Sequence, residues 1–277
     1  MAARQGAGAP REEAGQGSDS VRQGRLEARQ VMAMFDRIAG VYDLLNTAMT
    51  AGLHHRWRER AAGEARVGPG DRVLDVATGT GDLALELARR VGPAGEVIGS
   101  DFAEAMLDRA RAKSGKLEPA LRPRFEWADA MSLPYADSSF DAATVGFGAR
   151  NFDDLARGLR EMARVVRPGG RVVVLEITTP ARPPLSLFYR LWFDRLVPAL
   201  GRIAGALASR RAQDRPPPDE VSISDAYTYL PNSVRRFPSP ETLAGELEQA
   251  GLDEIGWVLL AGGIVAIHAG TVTGQGL

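Results

Sequence analysis

The stretch VLDVATGTGDLALELAR, Val73–Arg89, decides the fold. A β-branched run ends in a glycine turn with one acid before it, Asp75, and one after it, Asp82. A helical pattern follows at once, because Leu83, Leu87 and the alanines between them recur at about 3.6-residue spacing. Strand, glycine loop and helix in that order form a cradle for a nucleotide-like ligand. Gly79 and Gly81 carry no Cβ, so the backbone can approach such a ligand closely.

Two cofactor classes fit the loop. Gly79-x-Gly81-x-x-Ala84 satisfies the dinucleotide fingerprint of NAD and FAD. That fingerprint sets a pyrophosphate on the free N–H groups of a helix N-terminus. Asp82 falls in that first turn, where its carboxylate repels phosphates. S-adenosylmethionine has no phosphate and carries a sulfonium and an ammonium, which acids attract. As a plain helix N-cap Asp82 would carry no such message. Asp75 sits near the end of a buried strand and needs a partner. The charges favour S-adenosylmethionine over NAD.

The chain has 277 residues, a formal net charge of −1 and no basic excess, which argues against a general nucleic-acid binder. It holds no cysteine, so disulfides and thiolate chemistry are excluded. The histidines, His54, His55 and His268, lack metal-ligand spacing, and no metal is expected. No apolar run approaches the ~18 residues of a membrane span, and no signal-peptide core opens the chain. A cytoplasmic protein is expected.

Residues 1–30 are poor in large apolar side chains and read as a disordered tail. Residues 31–70 read as N-terminal helices, with Phe35, Ile38, Tyr42, Leu45 and Met49 on one face. Strands are expected at Arg72–Ala77, Glu96–Asp101, Arg124–Ala128, Phe140–Phe147 and Arg171–Ile177, the last delivered by an Arg167-Pro168-Gly169-Gly170 turn. Helices over Asp82–Arg90, Glu104–Lys113 and Asp153–Val166 alternate with them. Pro240–Ala250 reads as a helix, and Gly256–Leu260 and Ile264–Ala269 as strands around a Gly262-Gly263 turn. The expectation is an α/β fold with a doubly wound, mostly parallel seven-stranded sheet. Residues 183–238 break the alternation and read as an inserted helical lid, with an arginine- and proline-rich loop over Ala208–Val221.

In such a sheet ligands bind at the carboxyl ends of the strands. Asp101 ends the second strand 22 positions after Gly79, near the ~20-residue offset of a ribose-binding acid. Its competing role is to cap the following helix. Asp129, with the Ala130 N–H beside it, stands where an adenine edge could be read. Thr78 and Thr80 offer hydroxyls within the loop, or serve as turn residues. Gly146 and Gly148 at the end of the fourth strand imply close approach of something to the backbone. Arg150 and Asn151 follow directly and are expected to face the same cleft.

These motifs resemble those of the ubiquinone/menaquinone biosynthesis C-methyltransferases, from about Phe35 to Gly270. The narrow matches are Tyr42-Asp-Leu-Leu-Asn46, Gly146-Phe-Gly-Ala-Arg-Asn151 and Gly262-Gly-Ile-Val-Ala-Ile-His268. The Asp75-x-x-x-Gly-Thr-Gly81 core and the Pro168-Gly-Gly170 turn are general to class I methyltransferases. The resemblance implies methyl transfer from S-adenosylmethionine to a ring carbon of a prenylated quinol, with Thr80, Asp101, Asp129 and Ala130 at the cofactor. A serine frequent in the family before Phe147 is Gly146 here. Ala149 replaces a larger aliphatic residue and is expected to widen the cleft.

A ring hydroxyl with a pKa of about 10 must lose its proton to activate the carbon. Arg150, always protonated, is expected to stabilise the developing phenolate, with Asn151 orienting a water or the ring oxygen. Tyr42, His54 and Phe147 are expected on the substrate side. Phe188, Leu191, Trp192 and Leu196 share a helical face that could touch the inner face of the membrane, pack on the core, or pack on a second subunit in a homodimer. Competing readings are a methyltransferase for another small or lipid acceptor, an NAD-dependent oxidoreductase, and a cofactor-binding module without catalysis.

Overall fold

A computed structural model describes residues 49–180, 183, 185–191 and 223–274, together with Val31, Met34, Asp43, Asn46 and Thr47. The expected tail, Tyr42, Trp192, Leu196 and the 208–221 loop lie outside the described residues.

Described elements run α1 (Leu53–Glu64), β1 (Arg72–Val76), α2 (Asp82–Val91), β2 (Glu96–Asp101), α3 (Glu104–Ser114) and β3 (Arg124–Trp127). Then come β4 (Phe140–Gly146), a 3-10 turn (Ala149–Asn151), α4 (Leu155–Val165) and β5 (Val166–Ile177). The chain continues through α5 (Leu185–Leu191), α6 (Ile223–Arg236), α7 (Pro240–Gln249), β6 (Leu252–Leu260) and β7 (Val265–Val272). The strands form one seven-stranded sheet in the order β3-β2-β1-β4-β5-β7-β6. All pairs from β3 to β5 are parallel, and β7 is antiparallel to both β5 and β6. The expected sheet is therefore present, and the chain reverses direction across it between β1 and β4.

Apolar runs build the strands because the central ones are covered on both faces. Val73, Val97, Ala142, Val173 and Leu175 face α1 and α2, whereas Leu74, Ile98, Ala143, Val145 and Val174 face α4 and α7. Helix α2 buries Leu83, Ala84, Leu87, Ala88 and Val91, the stripe its spacing predicts. Cutting fully buried Leu87 back to Ala would cost about 2–5 kcal/mol. Asp154 caps α4 by accepting from the Arg157 N–H, and Ser239 caps α7 by accepting from the Thr242 N–H.

Two strands begin earlier than expected. The Pro168-Gly169-Gly170 segment does not precede β5 but bulges within it, between the Val166↔Phe140 and Arg171↔Ala142 pairs. Gly169, at φ 80°, turns that bulge. Strand β6 begins at Leu252, four residues earlier than the pattern indicated, because a second bulge between Asp253 and Gly256 masks its alternation.

Candidate functional site

A cleft opens at the carboxyl ends of β1 to β4, where the sheet reverses direction. Its floor is the glycine loop. After β1 the backbone passes through positive φ at Ala77 (49°), Gly79 (56°) and Gly81 (83°). The Thr78 N–H donates to the Ser100 carbonyl (2.9 Å), which ties the loop to β2. A Cβ on Gly79 would meet nothing within 4 Å, so this glycine leaves bare backbone toward the cleft. Gly81 is different. A Cβ there would strike Ala110 Cβ and Phe125 Cζ at 2.9 Å. It seats the loop against α3 and β3 and does not line the cleft, contrary to its expected part in holding the cofactor.

Asp75 lines the cleft although it is buried. The partners it needs are the Thr78 and Thr144 hydroxyls, which donate to it at 2.6 and 2.7 Å. Burial nevertheless pushes its carboxyl up to about 6. Thr80 donates to Asp43 Oδ1 (2.7 Å) and accepts from Lys113 Nζ (2.8 Å). Lys113 also reaches Asp43 Oδ2 and Asp82 Oδ1, each at 2.7 Å.

Asp82 is not an N-cap. Gly81 occupies the cap position without a side-chain bond, and Asp82 is the first helical residue. Burial opposes its ionisation, but Arg58 and Lys113 outweigh burial and hold its carboxyl below the usual range. Its charge is thus largely balanced, and it cannot alone select a cationic ligand. The lining as a whole is acidic: among the described residues Asp75, Asp82, Asp101, Asp129 and Asp153 line the cleft with one cation, Arg58.

Asp101 does not cap the following helix, whose cap position is Ala103, but its carboxylate ties the entry to that helix to the glycine loop. Its Oδ1 accepts from the Ala103 N–H (2.9 Å) at the entry to α3, and its Oδ2 accepts from the Gly79 N–H (2.8 Å). Two backbone bonds hold this carboxylate at the cleft wall. Asp129 and Ala130 line the far end, where Asp129 Oδ1 accepts from the Met131 N–H (2.8 Å). Phe102, Trp127 and Met131 add apolar surface there that the sequence reading missed. Trp127 is 59% exposed and fixed by its ring N–H to the Phe102 carbonyl (3.0 Å).

The β4 end corrects several expectations. Gly146, Phe147, Gly148 and Asn151 line the cleft. What approaches Gly148 is the protein itself: a Cβ there would lie 2.6 Å from Ala77 Cβ. Ala149 is buried in the core beneath the sheet end and does not widen the cleft. Arg150 also turns away. Its guanidinium is buried against Glu176 (Nη1–Oε1 2.8 Å) and bonds the Phe147 carbonyl, while its N–H donates to Glu176 Oε2 (3.2 Å). A carboxylate 26 residues downstream, invisible to local reading, outcompetes the cleft for it. Asn151 accepts from the hydroxyl of Tyr229 on α6 (3.2 Å), which no sequence signal indicated.

His54 does not line the cleft but stands behind Arg58. Burial, then Arg58 and His55, lower its pKa to about 4, so the ring is neutral at pH 7. Arg58 itself could have been noticed. It occupies the buried face of α1 with His54, Ala61 and Ala62, where a charged side chain asks for a partner. His54, His55 and Asp82 offer one ligand atom each within 4.8 Å, but Arg58 on the same atoms disfavours a metal.

A cationic nucleoside fits this cleft. Carboxylates line it, a bare glycine floors it, and an apolar surface flanks the Asp129 end. The model of the ubiE/COQ5 methyltransferase family matches residues 23–272. A demethylmenaquinone methyltransferase of Deinococcus radiodurans is 45% identical over 225 residues, covering 81% of this chain and 86% of that protein. The ubiquinone/menaquinone biosynthesis C-methyltransferase UbiE of Burkholderia mallei is 40% identical, covering 88% and 93%. Among solved structures, a SAM dependent methyltransferase from Aquifex aeolicus superposes with a TM-score of 0.53 at 20% identity, over 78% of this chain and 89% of that one. That likeness concerns the fold, which is that of class I methyltransferases.

Proposed function

The chain belongs to the ubiE/COQ5 methyltransferase family, and from that premise we propose that it methylates a ring carbon of a prenylated quinol, demethylmenaquinol foremost. The observation that carries the reading is the acid-lined, glycine-floored cleft within a chain that matches the family along nearly its whole length. When bound, S-adenosylmethionine supplies an electrophilic methyl group on a cationic sulfur.

Asp101 would accept from the ribose hydroxyls, since its carboxylate is already oriented by two backbone donors. Asp129 and the Ala130 N–H would take the adenine edge. Asp75 would face the positive charge, and Thr78 and Thr80 hold the loop in register. Asn151 is the polar group for the ring. Its amide oxygen accepts from Tyr229, which leaves its N–H groups to serve as donors to a developing phenolate. Arg150, neutralised by Glu176, acts as a positioning residue for the Gly146–Asn151 turn. Positioning is then the main contribution of the protein to the transfer.

The lid extends the proposal to the membrane. Among the described residues no helix is long and apolar enough to cross a bilayer. Leu187 and Leu191, one turn apart on α5, are 71% and 50% exposed. A quinol with a prenyl tail resides in lipid, and this face of α5 would meet it at the surface. Liposome co-sedimentation should retain the protein, and should weaken when Leu187 and Leu191 are both changed to Ser.

Incubation with methyl-labelled S-adenosylmethionine and, separately, a demethylated naphthoquinol and a demethylated benzoquinol tests the main proposal. Label on the naphthoquinol ring carbon is expected. Transfer to neither ring would overturn it.

A further inference from the structure

We propose that Arg58 binds the carboxylate of the cofactor's amino-acid tail and thereby selects for the intact amino acid; the inference rests on the cofactor reading above. Strand order gives the cleft a direction. Asp129 follows β3, Asp101 ends β2, the glycine loop follows β1, and Phe147 follows β4. Arg58 lies over the Phe147 ring, 5.4 Å from its centre, at the end opposite Asp129. A nucleoside whose base sits by Asp129 directs its other end toward Arg58.

That other end is a zwitterion. The carboxylates of the lining suit its ammonium and sulfonium, but its carboxylate needs a cation, and Arg58 is the one cation in the lining among the described residues. The guanidinium has donors to offer. Among the described residues its hydrogen bonds leave from Nη1 alone, to His54 Nδ1 and the His54 carbonyl (3.3 Å). Nε and Nη2 have no partner among those residues, although the side chain is only 9% exposed. Asp82 stands 3.9 Å from Nη1, beyond hydrogen-bond range, and is already joined to Lys113. A carboxylate on Nε and Nη2 would make a paired, charge-assisted contact.

The support behind Arg58 is built for this. His54 Nδ1 accepts from the guanidinium, so Nε2 carries the proton and donates to Thr47 Oγ1 (3.1 Å). Thr47 in turn donates to the Asp43 carbonyl (2.8 Å). The chain of bonds fixes the tautomer and keeps the ring neutral behind the cation.

A cycle that crosses the ligand's carboxylate with the residue tests the assignment. S-adenosylhomocysteine and its decarboxylated analogue, which keeps the ammonium, are titrated calorimetrically into the full-length protein and into Arg58→Gln. The unmodified protein should prefer the carboxylate-bearing ligand by about tenfold or more. Arg58→Gln should lose that preference while binding the analogue within about threefold of the unmodified protein, and Arg58→Lys should keep part of it. Equal affinity of the unmodified protein for both ligands overturns the assignment without recourse to any variant. So does a preference that survives in Arg58→Gln. Failure of the unmodified protein to bind either nucleoside overturns the cofactor reading instead.

Discussion

The β3-β2-β1-β4 half of the sheet and the β5-β7-β6 half are continuous and both bend at positive φ, the second at Gly169 (80°), Glu254 (50°) and Ala261 (48°), yet the first sets its turns around the acid-lined cleft. In the first half the strand ends pass into turns at positive φ, including the non-glycine residues Ala77 (49°) and Phe147 (61°). Asp75, Asp101 and Asp129 stand beside those turns and line the cleft. In the second half β5 and β7 pair without interruption from Arg171↔Thr271 to Ile177↔Val265. Of the buried polar groups there, Glu176 holds Arg150, and His268 Nε2 donates to the Pro240 carbonyl (2.9 Å) with its ring stacked on Trp257. Strain of about 1–3 kcal/mol per residue persists only where neighbours over-determine it. The Phe147 N–H donates to the Leu175 carbonyl on β5 (2.8 Å), and Glu176 on β5 holds Arg150, so beyond the β4-β5 ladder these two contacts tie the halves together.

Removing that junction should have the largest effect. Glu176→Ala strands a buried guanidinium and should cost about 3–5 kcal/mol in denaturant unfolding. If the loss is under 1 kcal/mol, the halves are not joined there. Gly148→Ala comes next, at about 1–3 kcal/mol, because its methyl would enter Ala77. Gly79→Ala should cost only about 1 kcal/mol, the price of a left-handed alanine, while weakening S-adenosylhomocysteine binding far more than stability. His268→Leu, in the other half, should lose about 1–2 kcal/mol by leaving the Pro240 carbonyl unpaired, with nucleoside affinity unchanged. A change in affinity would break the division of labour between the halves.

A pH series sharpens it further. Asp75 ionises at about 6, so nucleoside affinity should fall as pH drops through that value and the carboxylate is lost. The raised value also means that wild-type stability declines as pH rises from the unfolded value of 3.8 through about 6. Asp75→Asn should flatten both profiles, read by calorimetry and by thermal melts across that window. The smallest effect belongs to Tyr229→Phe. It frees the Asn151 amide to rotate and should reduce kcat/KM for the quinol by about three- to tenfold, with cofactor affinity intact.

The sheet was legible because each strand and helix announces itself within ten residues, through β-branched runs, glycine turns and the Leu83/Leu87 stripe. Asp75, Gly79, Asp101 and Asp129 were legible for the same reason, since a strand end fixes where its last side chains go. The misreadings share another cause. Arg150, Asp82 and Gly81 are decided by Glu176, Lys113 and Phe125, which arrive from elsewhere in the chain and leave no local trace. Tyr229 was hidden in the same way, on a helix whose docking onto the Ala149–Asn151 turn only the fold reveals.

Lys113 gives this site a rule of valence. An ammonium has three protons, and Asp43, Thr80 and Asp82 already hold one each, at 2.7, 2.8 and 2.7 Å. Strong as its charge is, Lys113 is a saturated donor, and no newcomer can bond to it without evicting an oxygen that fastens the N-terminal segment across the glycine loop. What discriminates between the two cations beside that loop is therefore not their charge but the number of hydrogens each has left.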